Sequence, residues 1–147
     1  MLSAKDIMNK RLVTLKPGDT LRQAAAVFAK NKISGAPVVG PGKKLLGVLS
    51  QSDLVRRVDE RAQGREPAFY YEGDRLQVAH EPVDLGDTPV REVMTKVTLA
   101  VSPDEPIDRV ARTMLAKKVH RVLVAERGAL RGVISSLDLI RGLLDAL

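Results

Sequence analysis

An eight-residue stretch occurs twice in this chain with few changes, as GVLSQSDL from Gly47 and as GVISSLDL from Gly132. The second copy begins 85 positions after the first, so the copies lie more than half of the chain apart. An internal repeat of this kind means that one supersecondary unit is used twice, and it restricts the fold more than any single segment does. The two halves of the chain are therefore expected to share one architecture.

The similarity extends well beyond the octets. Ile7-Met8 aligns with Val93-Met94, and Pro17 aligns with Pro103, both at a spacing of 86 positions. The spacing falls to 85 at the octets because one residue is lost in the turn after the second strand. The repeat divides the chain into a first unit over residues 1–58, an irregular linker over residues 59–87 and a second unit over residues 88–147.

Both units have the same predicted order of elements. A short helix (Ala4–Met8 or Pro89–Met94) precedes a short strand (Val13–Leu15 or Leu99–Val101), and a longer helix follows. Its apolar residues recur at helical spacing: Leu21, Ala24, Ala25 and Phe28 in the first unit, and Ile107, Val110, Ala111, Met114 and Leu115 in the second. Two apolar runs joined by a glycine-containing turn predict a hairpin, and a last helix begins at Ser50 or Ser135. This β-α-β-β-α order, used twice, predicts an α/β (α+β) fold in which two units pack sheet to sheet with pseudo-twofold symmetry around a shared core.

The linker Asp59–Asp87 is the least regular part of the sequence and is rich in glycine, proline and charge. Three of the four aromatic residues of the chain, Phe69, Tyr70 and Tyr71, lie in it. Fully disordered tracts tend to lack aromatic residues. Two interpretations stay open: part of Ala68–Tyr71 packs against the body or a partner, or the segment is a loose tether.

Composition excludes several classes of site. The 147 residues include no Cys and only two His, so a disulfide framework, a thiol nucleophile and a zinc site are not expected. The N-terminal stretch MLSAKDIMNK is charged and no run approaches the roughly 18–20 apolar residues of a membrane span, so we expect a cytoplasmic protein without a membrane partner. The net charge of +6 suits phosphates, but 24 basic residues interleaved with 18 acidic ones do not favour nucleic-acid binding.

The Ser-x-x-Asp of each octet, Ser50 with Asp53 and Ser135 with Asp138, has two interpretations. In the first it is a capping box, in which the Ser oxygen accepts a backbone N–H of the helix and the carboxylate accepts the N–H of the capping residue. In the second the hydroxyl and the carboxylate face a cleft between the units, where a carboxylate can accept hydrogen bonds from both hydroxyls of a ribose. Apolar strand edges, Ile33–Pro37 and Val119–Leu123, would then enclose a flat base.

Basic residues stand beside both strand edges and would meet phosphates. They are Lys30, Lys32, Lys117, Lys118, His120 and Arg121. An apolar slot, a ribose-binding acid and a phosphate-binding base together describe a site for an adenosine nucleotide. Arg56 and Arg141 lie three residues after the acids, where they could contact those acids or a phosphate, but solvated helix charges are the preferred interpretation.

The order and spacing of these motifs resemble a tandem pair of CBS domains, the regulatory module called after cystathionine β-synthase. The segments that carry the resemblance are IMNKRLVTLKP, SGAPVVG and GVLSQSD in the first half, and VMTKVTLAVSP, VHRVLVAE and GVISSLD in the second. The resemblance covers nearly everything except residues Asp59–Asp87. It implies a stand-alone regulatory module rather than an enzyme, and no catalytic triad, metal cluster or phosphate-binding glycine loop is found beside it.

The resemblance also implies the site residues. Twelve positions match the nucleotide-binding pattern: Ile33, Ser34, Ala36, Pro37, Ser50, Asp53, Val119, His120, Arg121, Val122, Ser135 and Asp138. His120-Arg121 is similar to the pair that meets phosphates in the nucleotide-sensing subunits of energy-responsive kinases. The first half has Ser34-Gly35 at this place, so the two clefts are expected to be unequal.

The implied function is binding of AMP, ADP, ATP or S-adenosylmethionine between the two units, with a signal to a separate, unknown regulated protein. No cofactor is required, and AMP, ADP or ATP is the expected ligand. The family usually forms flat dimers through its helices, so a homodimer is expected. The alternative is a dimerisation or interaction scaffold that binds no ligand.

Overall fold

The computed structural model describes residues 1–62, 68–79, 86–96 and 99–146. The first half contains α1 (Ala4–Ile7), α2 (Leu21–Asn31), β1 (Gly35–Val39), β2 (Leu45–Ser50) and α3 (Gln51–Ala62). Two strands of the linker follow, β3 (Ala68–Glu72) and β4 (Arg75–Ala79). The second half contains β5 (Ala100–Val101), α4 (Ile107–Lys117), β6 (Arg121–Glu126), β7 (Ala129–Ser135) and α5 (Ser136–Ala146). Short 3-10 turns occur at Pro41–Lys43 and Val90–Glu92.

The two halves have the same strand pairing. In the second half β5 runs parallel to β6, and β6 runs antiparallel to β7. In the first half β1 pairs antiparallel with β2, and Leu15 alone takes the place of the parallel strand through a bridge to Val38. The first strand predicted at Val13–Leu15 is thus reduced to one bridge, while the equivalent strand of the second half forms.

Bridges between the halves occur in matched pairs and confirm the pseudo-twofold symmetry. Asn9 pairs with Val133, and Thr95 pairs with Val48 at the equivalent place. Ser3 pairs with Pro106, and Thr20 pairs with Pro89 in the same relation. Each bridge joins a residue of one repeat to a residue of the other, so the two units are in direct backbone contact.

The amphipathic helices follow the predicted spacing in their buried residues. Helix α2 begins after Thr20, whose hydroxyl accepts the Gln23 N–H at 3.2 Å, and it buries Leu21, Ala24 and Phe28. Helix α4 buries Ile107, Val110 and Met114 at the same intervals. Leu115, which the periodicity also assigned to this apolar set, is 79% exposed.

The buried residues form two clusters rather than the single shared core that the repeat suggested. One cluster consists of first-half residues together with Val90 of the second half. The other consists of second-half residues together with Ala4 of the first half. Each unit therefore receives the leading segment of the other, which is α1 with the chain to Asn9 or the turn at Val90–Glu92 with the chain to Thr95, and we call these two the exchanged segments. The exchange buries apolar side chains that one unit alone would leave in water.

The linker contains more regular structure than its sequence suggested. Strands β3 and β4 form an antiparallel hairpin, with Ala68 opposite Ala79 and Glu72 opposite Arg75. Gly73 in the turn has φ +64°, in the left-handed region that glycine enters without steric cost. The aromatic residues Phe69, Tyr70 and Tyr71 thus lie within β3, and their packing against the body or a partner stays a prediction.

Candidate functional site

A groove of about 560 Å³ lies between the two units. Its lining comes from the chain that follows α1, from the start of β1, from the start of β6 and from the ends of β2 and β7. The chain after α1 must enter the groove, because Asn9 pairs with Val133 of the second unit while Leu15 pairs with Val38 of the first. The exchange of leading segments therefore builds one wall of the groove.

Nine of the twelve candidate residues line this groove. They are Ile33, Ser34, Ala36, Pro37, Ser50, Arg121, Val122, Ser135 and Asp138. The structure does not bring Asp53, Val119 or His120 to the groove lining. His120 is exposed, and its carbonyl accepts the N–H of Ser136 at the start of α5.

Sequence reasoning missed the residues that the crossing chain contributes, which are Asn9, Arg11, Leu12 and Val13. Val13 was assigned to a strand, and the others were given no role. Their position depends on α1 packing against the second unit, which no local pattern shows. The missed cation, Arg11, adds a second guanidinium beside Arg121 in the groove lining.

The two carboxylate oxygens of Asp138 differ in their hydrogen bonding, because only one of them accepts bonds from described residues. Its Oδ2 accepts the Ser135 N–H at 2.9 Å and the Ser135 hydroxyl at 2.8 Å, which is the capping box predicted from sequence. No residue in the described chain donates a hydrogen bond to Oδ1. Asp138 is half-buried and belongs to the groove lining, so an oxygen without a donor among the described residues belongs to a residue that borders the groove.

Asp53, the equivalent acid of the first unit, has both oxygens occupied. Its Oδ2 accepts the Ser50 N–H at 2.9 Å and the Ser50 hydroxyl at 3.1 Å. Its Oδ1 accepts the hydroxyl of Thr95 at 3.1 Å and an N–H of the Arg56 guanidinium. Asp53 is 4% exposed and lies outside the groove lining.

The inequality of the two acids has a cause in the exchanged segments. Thr95 lies against the first unit and donates to Asp53, whereas its repeat equivalent Asn9 directs its side-chain oxygen to the Arg11 N–H at 3.0 Å. The Arg56 side chain is 60% exposed, as expected of a solvated helix charge, and it also pairs with Asp53, which was the alternative. The sequence predicted unequal clefts from Ser34-Gly35 and His120-Arg121, but the structure adds this second source of inequality.

The glycine of each octet marks the place where an exchanged segment crosses a strand. A Cβ atom on Gly47 would lie 2.7 Å from the carbonyl oxygen of Thr95, and one on Gly132 would lie 3.0 Å from that of Asn9. At 2.7 Å the Thr95 backbone would have to shift, and at 3.0 Å the Asn9 backbone would have to give by a few tenths of an ångström. The repeated glycines therefore permit close packing of the units.

A second cavity of about 490 Å³ adjoins the groove. It lies beside α2 and the start of α3, and Ile33, Ser34 and Arg121 line both spaces. Lys32, one of the predicted basic residues, lines this cavity. Lys30, Lys117, Lys118 and His120 line neither space.

Within residues 1–62, 68–79, 86–96 and 99–146, no three His, Cys, Asp or Glu side chains are grouped so that they could bind a metal ion. In the same part of the chain no helix combines the length and the apolar character that a bilayer span requires.

Comparison with known sequences identifies the repeat. The family model for the CBS domain matches the chain twice, at residues 4–60 and 90–145. Protein MJ1426 of Methanocaldococcus jannaschii, an uncharacterised protein, is 30% identical over 162 residues. That alignment covers 95% of this chain and 90% of the relative.

Solved structures share the fold. CBSX2 in complex with AMP superposes with a TM-score of 0.72 at 21% identity, covering 99% of this chain and 98% of the other. The CBS domain pair of protein MJ0100, in complex with 5′-methylthioadenosine and S-adenosyl-L-methionine, gives a TM-score of 0.69 at 21% identity and covers 100% and 99%. Two matched repeats, a pseudo-twofold pair of units and these relatives show that the chain belongs to the CBS-domain family, as a tandem CBS pair.

Proposed function

We propose that this protein is a regulatory module that binds an adenine nucleotide in the groove at Asp138 and signals to a separate protein. The observation that carries the proposal is the Asp138 carboxylate, which lies in the groove with Oδ1 unbonded to any described residue. A carboxylate in this position can accept both ribose hydroxyls. Ligands in two related folds, AMP on CBSX2 and adenosine derivatives on MJ0100, support the same class of ligand.

The rest of the groove suits the remaining parts of a nucleotide. Ile33, Ala36, Pro37 and Val122 offer apolar surface to a base, and Arg121 offers a guanidinium to phosphate. Each oxygen of Asp53 already accepts two hydrogen bonds, so this carboxylate has no free acceptor for a second ribose. We therefore propose one nucleotide per chain, held between the two units, with AMP, ADP or ATP as the ligand.

A ligand in this place touches both units, because the lining comes from both repeats. It can regulate a partner only by binding two arrangements of the units with different affinity. We infer that the role is regulatory rather than catalytic. The Ser135 hydroxyl donates to Asp138, and no described histidine lies in the groove lining to act as its base. The absence of Cys from the sequence suits the reducing cytoplasm, where we place the protein.

Isothermal titration tests the nucleotide site. We expect AMP, ADP or ATP to bind the wild-type chain, and Asp138→Asn to weaken that binding roughly 10- to 100-fold, as for the loss of hydrogen bonds to a charged group. The amide oxygen of Asn can still accept the Ser135 N–H, so the variant keeps its helix cap.

Asp6→Asn is the matched control, because Asp6 accepts the same two hydrogen bonds from Ser3 and does not line the groove. The N–H and the hydroxyl of Ser3 lower the pKa of Asp6, so this exposed carboxylate is charged and bonded to its capping residue without a ligand role. Equal affinity in Asp138→Asn and Asp6→Asn would contradict the assignment of Asp138. The absence of heat with every nucleotide would overturn the proposed function.

The alternative is a scaffold that binds no ligand, and one observation favours it. Both Ser–Asp pairs are complete capping boxes, so architecture alone accounts for their presence. On this alternative Asp138→Asn lowers the melting temperature slightly and no nucleotide changes that temperature. The titration above distinguishes the two.

We also propose that the protein is a homodimer joined through α3 and α5. Large apolar side chains on these helices are exposed by 40–68%: Val55, Val58, Leu137, Ile140, Leu143 and Leu144. Val55 and Val58 are the repeat equivalents of Ile140 and Leu143, so both units present the same kind of apolar face. Two matched faces related by a pseudo-twofold axis suit a second copy of the chain, since a twofold interface pairs identical surfaces.

Sedimentation velocity tests the dimer. We expect the wild-type protein to sediment at twice the 16.0 kDa chain mass, and Ile140→Lys to shift it toward the monomer. Leu115→Lys is the control, because Leu115 is 79% exposed on α4, outside the proposed faces. A monomeric wild type, or equal behaviour of the two variants, would be incompatible with this interface.

A further inference from the structure

We propose that the groove and the adjoining cavity together hold a nucleoside polyphosphate, with Lys32 binding its terminal phosphates. The proposal rests on the nucleotide function proposed above and extends it to the length of the ligand. The groove alone would suit any adenosine compound, and it is the adjoining cavity that favours a polyphosphate.

The two spaces adjoin and share part of their lining. Ile33, Ser34 and Arg121 line both the groove of about 560 Å³ and the cavity of about 490 Å³. We place the ribose at Asp138 and the first phosphate at Arg121, and since Arg121 also lines the second cavity, further phosphates can extend into that cavity. A nucleoside monophosphate ends before this space, and a chain of phosphates can enter it.

The charges of the two linings favour an anionic tail. Among the residues that line the two spaces, the cations are Arg11, Arg121 and Lys32, and the carboxylate is Asp138. With Asp138 occupied by ribose, the path from Arg121 to Lys32 offers positive charge without a neighbouring carboxylate in the described lining. S-adenosylmethionine suits this path less well, because its tail carries an ammonium group next to its carboxylate.

Lys32 is positioned by the backbone rather than by an ion pair. It ends α2 in the left-handed conformation, with φ 53° and ψ 47°, and its N–H donates to the Phe28 carbonyl. No ion pair or side-chain hydrogen bond involves its ammonium group in the described chain, and the side chain is exposed. The start of α3, in contrast, contributes little, because the Gln51 N–H donates to Ser34 and the Asp53 N–H donates to Ser50.

Titration with AMP and ATP at one ionic strength tests this inference. We expect ATP to bind the wild-type chain more tightly than AMP, and Lys32→Gln to weaken ATP roughly three- to tenfold while leaving AMP unchanged. Lys30→Gln is the matched control, since Lys30 belongs to the same helix and lines neither space. Raising the salt concentration should reduce the ATP advantage, because the added contacts are between exposed charges.

The outcomes separate this inference from the function on which it rests. If AMP and ATP bind with equal affinity, or if Lys32→Gln weakens both equally, the polyphosphate path is wrong and the nucleotide site at Asp138 stands. If Lys30→Gln weakens ATP as much as Lys32→Gln does, general charge rather than this cavity is responsible, and the inference is again wrong. If no nucleotide binds the wild-type chain, both proposals fail together.

Discussion

Asp53→Ala should destabilise the fold by about 2–3 kcal/mol, whereas Asp138→Ala, at the equivalent position of the second repeat, should cost about 1 kcal/mol. Asp53 is 4% exposed and accepts hydrogen bonds from Ser50, Arg56 and Thr95. Its removal leaves hydrogen-bond donors of both repeats, Ser50 and Arg56 of the first and Thr95 of the second, without their acceptor. For a chain of this size the melting temperature should fall by roughly 5–10 °C, against about 2–4 °C for Asp138→Ala.

Thermal unfolding followed by circular dichroism measures both values, and Thr95→Val tests the cause. That variant keeps the shape of the side chain and removes only the hydroxyl that joins Asp53 to the exchanged segment. It should lose about 1 kcal/mol. Equal destabilisation by Asp53→Ala and Asp138→Ala would show that the two acids contribute equally to the free energy of unfolding, contrary to the difference in their contacts.

Gly47→Ala should destabilise the protein by about 1–3 kcal/mol, although alanine is ordinarily the better residue within a strand. Its Cβ would lie 2.7 Å from the carbonyl oxygen of Thr95 and 2.9 Å from Sδ of Met94. The Met side chain can turn aside, but the carbonyl belongs to the main chain, whose two bonds to Val48 measure 2.8 and 2.9 Å. The exchanged segment must therefore move away from the strand.

Hydrogen exchange at the Thr95 and Val48 amides reports this movement directly, because each donates to the other residue's carbonyl. Both amides should exchange faster in Gly47→Ala. Gly18→Ala is the control, since a Cβ there meets only the tip of Arg91 at 4.0 Å, and it should change stability by less than about 0.5 kcal/mol. Unchanged exchange in Gly47→Ala would mean that the strand tolerates a side chain beneath Thr95.

The repeated architecture was predictable because its determinants are local. Apolar spacing placed Leu21, Ala24 and Phe28 on the buried face of α2, and the glycine-containing turns marked both hairpins. The Ser-x-x-Asp pairs predicted helix starts that the structure confirms. The hairpin of β3 and β4 was not predicted, although Gly73-Asp74 is a typical hairpin turn. The glycine, proline and charge content of the linker is typical of irregular structure, and it masked this local signal.

The exchange and the inequality of the acids were not predictable in the same way. Whether α1 packs on its own unit or on the other depends on the pairing of Asn9 with Val133, which is a tertiary contact. Once the exchange is known, the difference between Asn9 and Thr95 explains why Oδ1 of Asp53 accepts a hydrogen bond from the other repeat and Oδ1 of Asp138 does not. The difference between Asn9 and Thr95 is present in the sequence, but its effect on the two acids depends on tertiary contacts.

The exchanged segments also determine the smallest part of this chain that can fold. A single repeat, supplied as its own polypeptide, would place its leading turn on a neighbour and leave its own apolar cluster without Val90 or Ala4. It would need a second copy to complete it. The intact pair, rather than the individual repeat, is therefore the cooperative unit, and the segment that joins the repeats can vary in length without separating them.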